Sequence, residues 1–380
     1  VVVPQIDGVQ NGVGQARSSH HSGTTMSHYA GIDVSLKSSA VCIVDGGGNI
    51  VREAPVESEP AALIGWFKQL GLEIERIGLE AGPLSQWLYA AMREAGLQVE
   101  LLETRHVRDA FRAMSVKSDR NDARGIAQLM RLGWFRPVHC KSIEAQETRA
   151  VLTARKLLQS KLHDIDNCLR SVLRGFGLKV GKTTERSFAK RIEELVDGHT
   201  GLTLVVQALL EAHAVLLREF KKLDRQVQQL AKAHPQAKLL MSTPAVGPIV
   251  ALTYVFAIDD PKRFRSSKAT GAHFGLTPRR YQSGETDYSG RITKVGDASV
   301  REALYQAAHI MLTKPVKNCS ELKSWAMRIA KRAGPRKAKV ALARKLAVIL
   351  HRMLADNMPF NPAAKPVTAK PAAKAKPAAA

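Results

Sequence analysis

Between Tyr29 and Ala54, apolar residues alternate with polar ones or gather in β-branched runs. This spacing predicts strands near 29–34, 39–45 and 49–54. Lys37-Ser38-Ser39 and Gly46-Gly47-Gly48-Asn49 supply the turns. The glycine run opens no helix and carries no P-loop lysine, so a hairpin turn is a better reading than a phosphate cradle. A helical period near 60–69, a strand over Arg76–Glu80, a helix near 84–95 and a strand over Gln98–Leu102 follow. Three strands in a meander, then alternating helix and strand, predict a mixed sheet covered by helices.

From Val151 the period changes. Val151, Ala154, Leu158, Leu162, Ile165 and Leu169 recur in steps of three and four, and a second such run goes from Leu202 to Leu230 with His213 in its seam. The pattern predicts a coiled coil or a long helical hairpin, with an ordinary helical bundle as the plainer alternative. In that seam His213 reads as a polar residue that sets register. The turn Pro244-Ala245-Val246-Gly247-Pro248 before an apolar helix fits either a helix-hairpin-helix element or a simple helix start. Further on, Ser283-Gly284 marks a turn, Ser299-Val300-Arg301-Glu302 reads as a capping box, and a Lys/Arg-rich helix is predicted near 328–352. No apolar run approaches the length of a membrane span; the most apolar candidate, around Val340–Leu350, is broken by Arg344 and Lys345.

Charge narrows the class of partner. Among 380 residues, Lys and Arg number 57 and Asp and Glu 34, a formal net charge of +23. From Lys314 onward there are sixteen Lys or Arg against Glu321 and Asp356 alone. A polyanion, and nucleic acid first among them, is the default partner of such a chain. With 45% hydrophobic residues the chain can build a real core. Four cysteines far apart, with no CxxC pair, argue against a disulfide scaffold or a structural zinc site and fit a reducing cytoplasm. Residues 1–28, rich in Gly, Ser and His, read as a disordered extension, with Met26 as a natural start. Residues 356–380 read as a basic disordered tail of Ala, Lys and Pro that adds phosphate affinity or merely solubility.

Acids then appear where acids are costly. Asp33 falls on the first strand, Glu80 ends the Ile77–Leu79 strand, and Asp119 and Asp122 lie three apart in Lys117-Ser118-Asp119-Arg120-Asn121-Asp122-Ala123-Arg124. An oxygen-rich set of this kind suits Mg²⁺ or Mn²⁺. Equally, Asp119 could cap the helix and Asp122 could answer its dipole. In the last third, Ser283 stands among Arg279, Arg280, Arg291 and Lys294. A serine hydroxyl becomes a nucleophile only beside a base, a metal or a dense positive field; without one it reads as a turn residue.

GIDVSLK at the first strand, LEAGP at the end of the Glu80 strand, and KSDRNDAR resemble the DEDD-type transposases of the insertion-sequence family one-hundred-and-ten. GLTP, then SG, then RITKVGDASVREAL resembles the C-terminal domain of the same family, and the resemblance spans about residues 29–355. It implies an α/β RNase H-like (RuvC-like) domain over 29–135, a helical coiled-coil middle over 136–235, and a mostly α C-terminal transposase domain over 236–355. Catalytic and metal-holding roles fall on Asp33, Glu80, Asp119 and Asp122, with Mg²⁺ (or Mn²⁺) as cofactor and Ser283 as nucleophile in one composite centre. The implied function is a DNA recombinase of a mobile element, guided by an element-encoded RNA and assembled as a homodimer or homotetramer, cytoplasmic and nucleoid-associated, with no membrane. Lys117, Arg120, Arg124, Arg279, Arg280, Arg291, Lys294 and Arg301 are the expected nucleic-acid contacts. A metal-only junction nuclease and a non-enzymatic basic scaffold are the rival readings.

Overall fold

The alternation read near the start produces strands where it predicts them. β1 (His28–Asp33), β2 (Ser38–Val44) and β3 (Ile50–Glu57) form an antiparallel meander, and β4 (Ile74–Glu80) and β5 (Val99–Leu102) join in parallel. The sheet order is β3-β2-β1-β4-β5. The structure, a computed structural model, describes residues 27–113 and 116–362. The readings placed on the extension before residue 27 and on the tail beyond 362 fall outside those residues. The chain divides into two compact units, 1–140 and 141–380.

In the first unit the sheet has two apolar faces, because successive side chains alternate. Ala30, Ile32, Ile77 and Leu79 face one way and pack with Leu63 and Phe67 of α1 (Pro60–Gln69) and with Leu88 and Met92 of α2 (Ser85–Glu94). Tyr29, Cys42 and Val44 face the other way, against Ala123, Ile126, Ala127 and Met130 of α4 (Asp119–Leu132). A short helix, α3 (Thr104–Ala110), was not foreseen from the sequence.

The second unit is built from helices and one hairpin. α5 (Ile143–Gly175) and α7 (Thr200–Ala233) run antiparallel, as the pairs Arg155–Asp224 and His213–Asp166 require, and α6 (Glu185–Val196) caps their far end with Phe188 and Ile192. Their near ends, at Ala145, Val227 and Ala231, enter a core centred on the apolar α9 (Pro248–Ile258). α8 (Pro235–Met241) and α10 (Ala269–His273) flank α9, and α11 (Ala298–Thr313), α12 (Ser320–Ala333) and α13 (Pro335–Asp356) complete that core. β6 (Pro278–Ser283) and β7 (Thr286–Ile292) form an exposed ribbon between α10 and α11.

Three local expectations are corrected. α11 starts at Ala298, with the Asp297 carboxylate accepting from the Ser299 N–H at 2.8 Å, so Ser299 lies inside the helix and is not its cap. The single basic helix expected near 328–352 is two helices. Gly334 takes a φ of +87° and Pro335 opens α13, a left-handed stop followed by a favoured first-turn residue. Finally, α7 contains an 18-residue stretch long and apolar enough to cross a membrane, which contradicts the expectation that no apolar run approaches that length. About a fifth of that stretch, 22%, is buried inside the structure. Here Leu202, Val206 and Leu210 pack with α5 and α6 residues.

Candidate active site

Strand alternation decides where the acids point. Asp33 shares its face of β1 with Tyr29 and Gly31, and Glu80 shares its face of β4 with Gly78. That is the face covered by α4. The parallel register pairs Gly31 with Gly78 and Ile32 with Leu79, so Asp33 and Glu80 follow at the carboxyl ends of neighbouring strands. α4 begins at Asp119 and carries Asp119 and Asp122 in its first turn.

The close approach of α4 has a specific cause. A Cβ on Gly31 would lie 2.2 Å from the Ala123 carbonyl oxygen and 2.3 Å from the Ala127 nitrogen. On Gly78 it would lie 2.6 Å from Ile126 Cγ2. Two glycines side by side in the sheet therefore let the helix backbone rest almost directly on the strands. The cap role open to Asp119 is taken by Ser118, whose hydroxyl accepts from the Asn121 N–H at 3.2 Å.

Asp33 and Glu80 are both shifted by burial and by acids near them. Burial pushes the Asp33 carboxyl up to about 6, and the charges of Asp122 and Asp119 add to it while Lys117 opposes. Burial also raises Glu80, with Asp33 and Asp122 adding to the rise, and Lys117 and a hydrogen bond with Thr104 working against it. No hydrogen bond or ion pair engages the carboxylates of Asp33, Asp119 or Asp122 among the described residues. With Asp33, Glu80 and Asp122 partly buried, Asp119 exposed, and all but Glu80 short of partners, the set has the donor chemistry of a hard divalent cation site. It is not a preformed cage: among the described residues no three such side chains are close enough to hold an ion.

Arg120 and Arg124, one helical turn apart on α4, converge on Glu53 of β3. Arg120 Nε donates at 2.7 Å to Glu53 Oε2, and Arg124 donates at 2.5 Å to Oε1 and 2.9 Å to Oε2. Hydrogen bonds from Arg124, and then from Arg120, hold the Glu53 carboxyl down at about 2 against the cost of burial. Glu53, Cys42, Gly31 and Gly78 form one row across the sheet beneath α4. The expected nucleic-acid contacts Arg120 and Arg124 thus have another partner, while Lys117 is exposed beside the acids.

In the second unit, Ser283 ends β6 at the tip of the exposed ribbon and pairs with Thr286, with Gly284 at φ +53° in the turn. It shares its face with Tyr281, whose ring stacks on Tyr288 across the ribbon at 4.9 Å. On the other face Arg280 donates to Asp287 at 2.9 and 2.6 Å. Arg301 reaches the ribbon's root, where its Nη1 donates to the carbonyls of Phe274, Val295 and Gly296 at 3.3, 2.8 and 3.0 Å. Gly275 and Gly296, both at positive φ, admit the backbone crossing there. Arg280 and Arg301 therefore hold the ribbon, whereas Arg279, Arg291 and Lys294 remain exposed. Sequence reasoning missed Glu53, the glycine pair and the tyrosine pair. The i, i+4 spacing of Arg120 and Arg124 was the one visible hint of a shared acid.

Two family models match the chain. A family model for DEDD transposases of the IS110 type, described as "Transposase", matches residues 30–177, and one described as "Transposase IS116/IS110/IS902 family" matches residues 237–322. The chain is 27% identical to a transposase for insertion sequence element IS1111A from Coxiella burnetii, over 85% of this chain and 88% of that protein. It is 26% identical to a probable family 20 transposase from Pseudomonas aeruginosa, over 75% and 86%. With a transposase for insertion sequence element IS1328 from Yersinia enterocolitica it shares 24% identity over 72% and 81%. A mixed sheet bearing an acid quartet, in a chain matched at both ends by these models, defines a DEDD-type transposase, an enzyme that cuts and rejoins DNA. The chain belongs to the IS110 family of insertion-sequence transposases. An RNase H-like α/β fold for the first unit agrees with the match and with the sheet. The reading as a non-enzymatic scaffold is set aside.

Proposed function

We propose that the chain recombines DNA through a metal-dependent reaction in which Ser283 becomes linked to a strand. The observation that carries this reading is that Asp33 and Glu80 end neighbouring strands on the face covered by α4, whose first turn carries Asp119 and Asp122, with Asp33 raised to about 6 by burial and by its acidic neighbours. Those four side chains would hold Mg²⁺ or Mn²⁺. A bound divalent ion supplies charge neutralisation at a phosphodiester and acidifies an attacking hydroxyl. Lys117, beside the acids, is placed to hold a phosphate against their repulsion.

Ser283 Oγ would form a bond to phosphorus while the bond from phosphorus to one deoxyribose oxygen breaks. The departing oxygen takes up a proton and leaves as a hydroxyl. The phosphoserine ester retains the energy of the diester, so reversal with a second strand's hydroxyl rejoins DNA without ATP. The serine's exposed position at a ribbon tip supports this, because a hydroxyl that meets a strand must be reachable. An element-encoded RNA would choose the sequence by base pairing, leaving the protein to read backbone and shape. A homodimer or homotetramer is the proposed assembly, supported by the long α5–α7 pair and its exposed Leu157, Leu204, Val205 and Val215. Such an enzyme would work in the cytoplasm, with the nucleoid.

The test is recombination between an element junction and target DNA, with and without the element's RNA, followed by trapping of a protein–DNA adduct. Ser283→Ala should abolish both adduct and product, and Asp119→Ala should abolish both with Mg²⁺ or Mn²⁺ present. If Ser283→Ala still cuts and rejoins at the native rate, the acids act alone as a metal-only junction nuclease.

A further inference from the structure

The second unit contains a groove of about 1970 Å³ that the acid quartet and Ser283 do not explain. One wall is the foot of the ribbon, at Gly290, Arg291 and Ile292. α12 and α13 supply most of the rest, and Ser266–Lys268, Leu276 and Met358–Pro362 also line it. Its floor is apolar, with Leu276, Ile292, Trp325, Val340, Val348 and Ile349 among its residues. Its rim is cationic: nine Lys or Arg line it against two acids, Glu321 and Asp356. Asp356 is already engaged by Arg352 at 3.0 Å. Arg291, Lys294, Arg328, Arg336, Lys337 and Arg344 are exposed and make no ion pair among the described residues.

We infer that this groove seats an unpaired DNA strand, with phosphates along the rim and bases laid on the apolar floor. A charge excess of this size selects a polyanion. A duplex keeps its base faces stacked inside and offers a surface only base edges, sugars and phosphates, so the apolar floor would find no flat partner. A single strand offers both chemistries at once, base faces and phosphates. The chain's own continuation cannot be the occupant, because everything after Asp356 carries lysines and no acid. A second copy of a chain with net charge +23 is disfavoured for the same reason. The ribbon that forms one wall carries Ser283 at its tip, roughly 17 Å from Arg291 at about 3.3 Å per residue. A strand in the groove is thereby led toward the serine, and this identification of the strand as DNA rests on the recombinase reading above.

The experiment uses the full chain with fluorescent oligonucleotides of one sequence as single-stranded DNA, duplex DNA and single-stranded RNA, followed by anisotropy across a salt series. The double variant Arg336→Glu/Arg344→Glu should weaken single-stranded DNA binding at least tenfold. It should also flatten the dependence of log affinity on log salt by about 1.4, at about 0.7 per phosphate for single strands. Lys190→Glu, an exposed reversal on α6, should change affinity less than twofold. Circular dichroism should show native helix in both variants, because every substituted residue is exposed. Unchanged single-strand binding in the double variant overturns the inference. So does a duplex bound as tightly and lost in parallel, or RNA bound tenfold more tightly than DNA. Ser283→Ala separates the two proposals: strand binding that persists while adduct formation never depended on the serine sinks the recombinase chemistry and leaves the groove standing.

Discussion

Gly31 sets how near α4 can come to the sheet, and through that distance it positions the acids. The side chain that glycine lacks would have to occupy space now held by the Ala123 carbonyl and the Ala127 amide of α4. Backbone cannot swing aside as a side-chain end can. Gly31→Ala should therefore push the first turns of α4 outward and carry Asp119 and Asp122 away from Asp33. Overpacking of this kind costs roughly 1–3 kcal/mol, to be read as a lower denaturant midpoint. DNA cleavage should fall much further than stability does. Gly78→Ala meets only Ile126 and Met130 side chains and should be milder. At Gly65 in α1 an added Cβ meets nothing within 4 Å, so Gly65→Ala should be neutral or stabilising by about 0.5–1 kcal/mol. Equal losses at positions 31 and 65 would show that contact with α4 is not what the glycine serves.

At the scale of elements, α4 is fixed at its first turns by the Glu53 clamp and stopped by Gly133, left-handed at φ +64°. The clamp has a pH signature. Glu53 is held at about 2 in the folded chain, below its ordinary 4.5, so its contribution is fully present above 4.5 and is lost as pH falls toward 2. Glu53→Gln should be less stable than the parent at neutral pH, and the gap between the two should close over that acid window. Chemical unfolding followed at several pH values reads it directly, and a constant gap would refute the assignment. How far these elements were legible depends on the range of the interactions involved. β1 to β5 follow from alternation and from β-branched runs, which are local. The ribbon turn at Ser283-Gly284 is local too, whereas the cap open to Asp119 is Ser118 one residue earlier. The partner of Arg120 and Arg124 lies 67 and 71 residues away and reaches them only because β3 folds beside β2. The tyrosine stack needed the ribbon's register, which a bulge between Pro278 and Arg280 shifts. At α11 the capping box read at Ser299 gives way to Asp297, whose carboxylate accepts from the Ser299 N–H. The glycines that bring α4 and its two acids close to the sheet left no signal, since a close approach of helix to sheet leaves no periodic mark.

Across the whole molecule the charge is gathered toward one end. Of the net +23, the residues from Lys314 onward supply more than half, sixteen Lys or Arg against two acids. Part of that is the groove rim on α12 and α13, and part is Lys365, Lys370, Lys374 and Lys376. The two parts should act differently. A rim charge sits on a fixed wall beside an apolar floor, so losing it should weaken single strands more than duplexes. A lysine separated from its neighbours by Ala and Pro meets phosphate by charge alone and should not distinguish one nucleic acid from another. Removing residues 363–380 should therefore lower affinity for single and double strands alike. It should also flatten the salt dependence of duplex binding by at most about 3.6, four charges at about 0.9 each. Cleavage at low salt should be unaffected, since neither the acid quartet nor Ser283 lies in that segment. Affinity measured from 50 to 200 mM salt on full and shortened chains checks this. Should the shortened chain lose single-strand binding selectively, the discrimination assigned to the groove would belong to the tail instead.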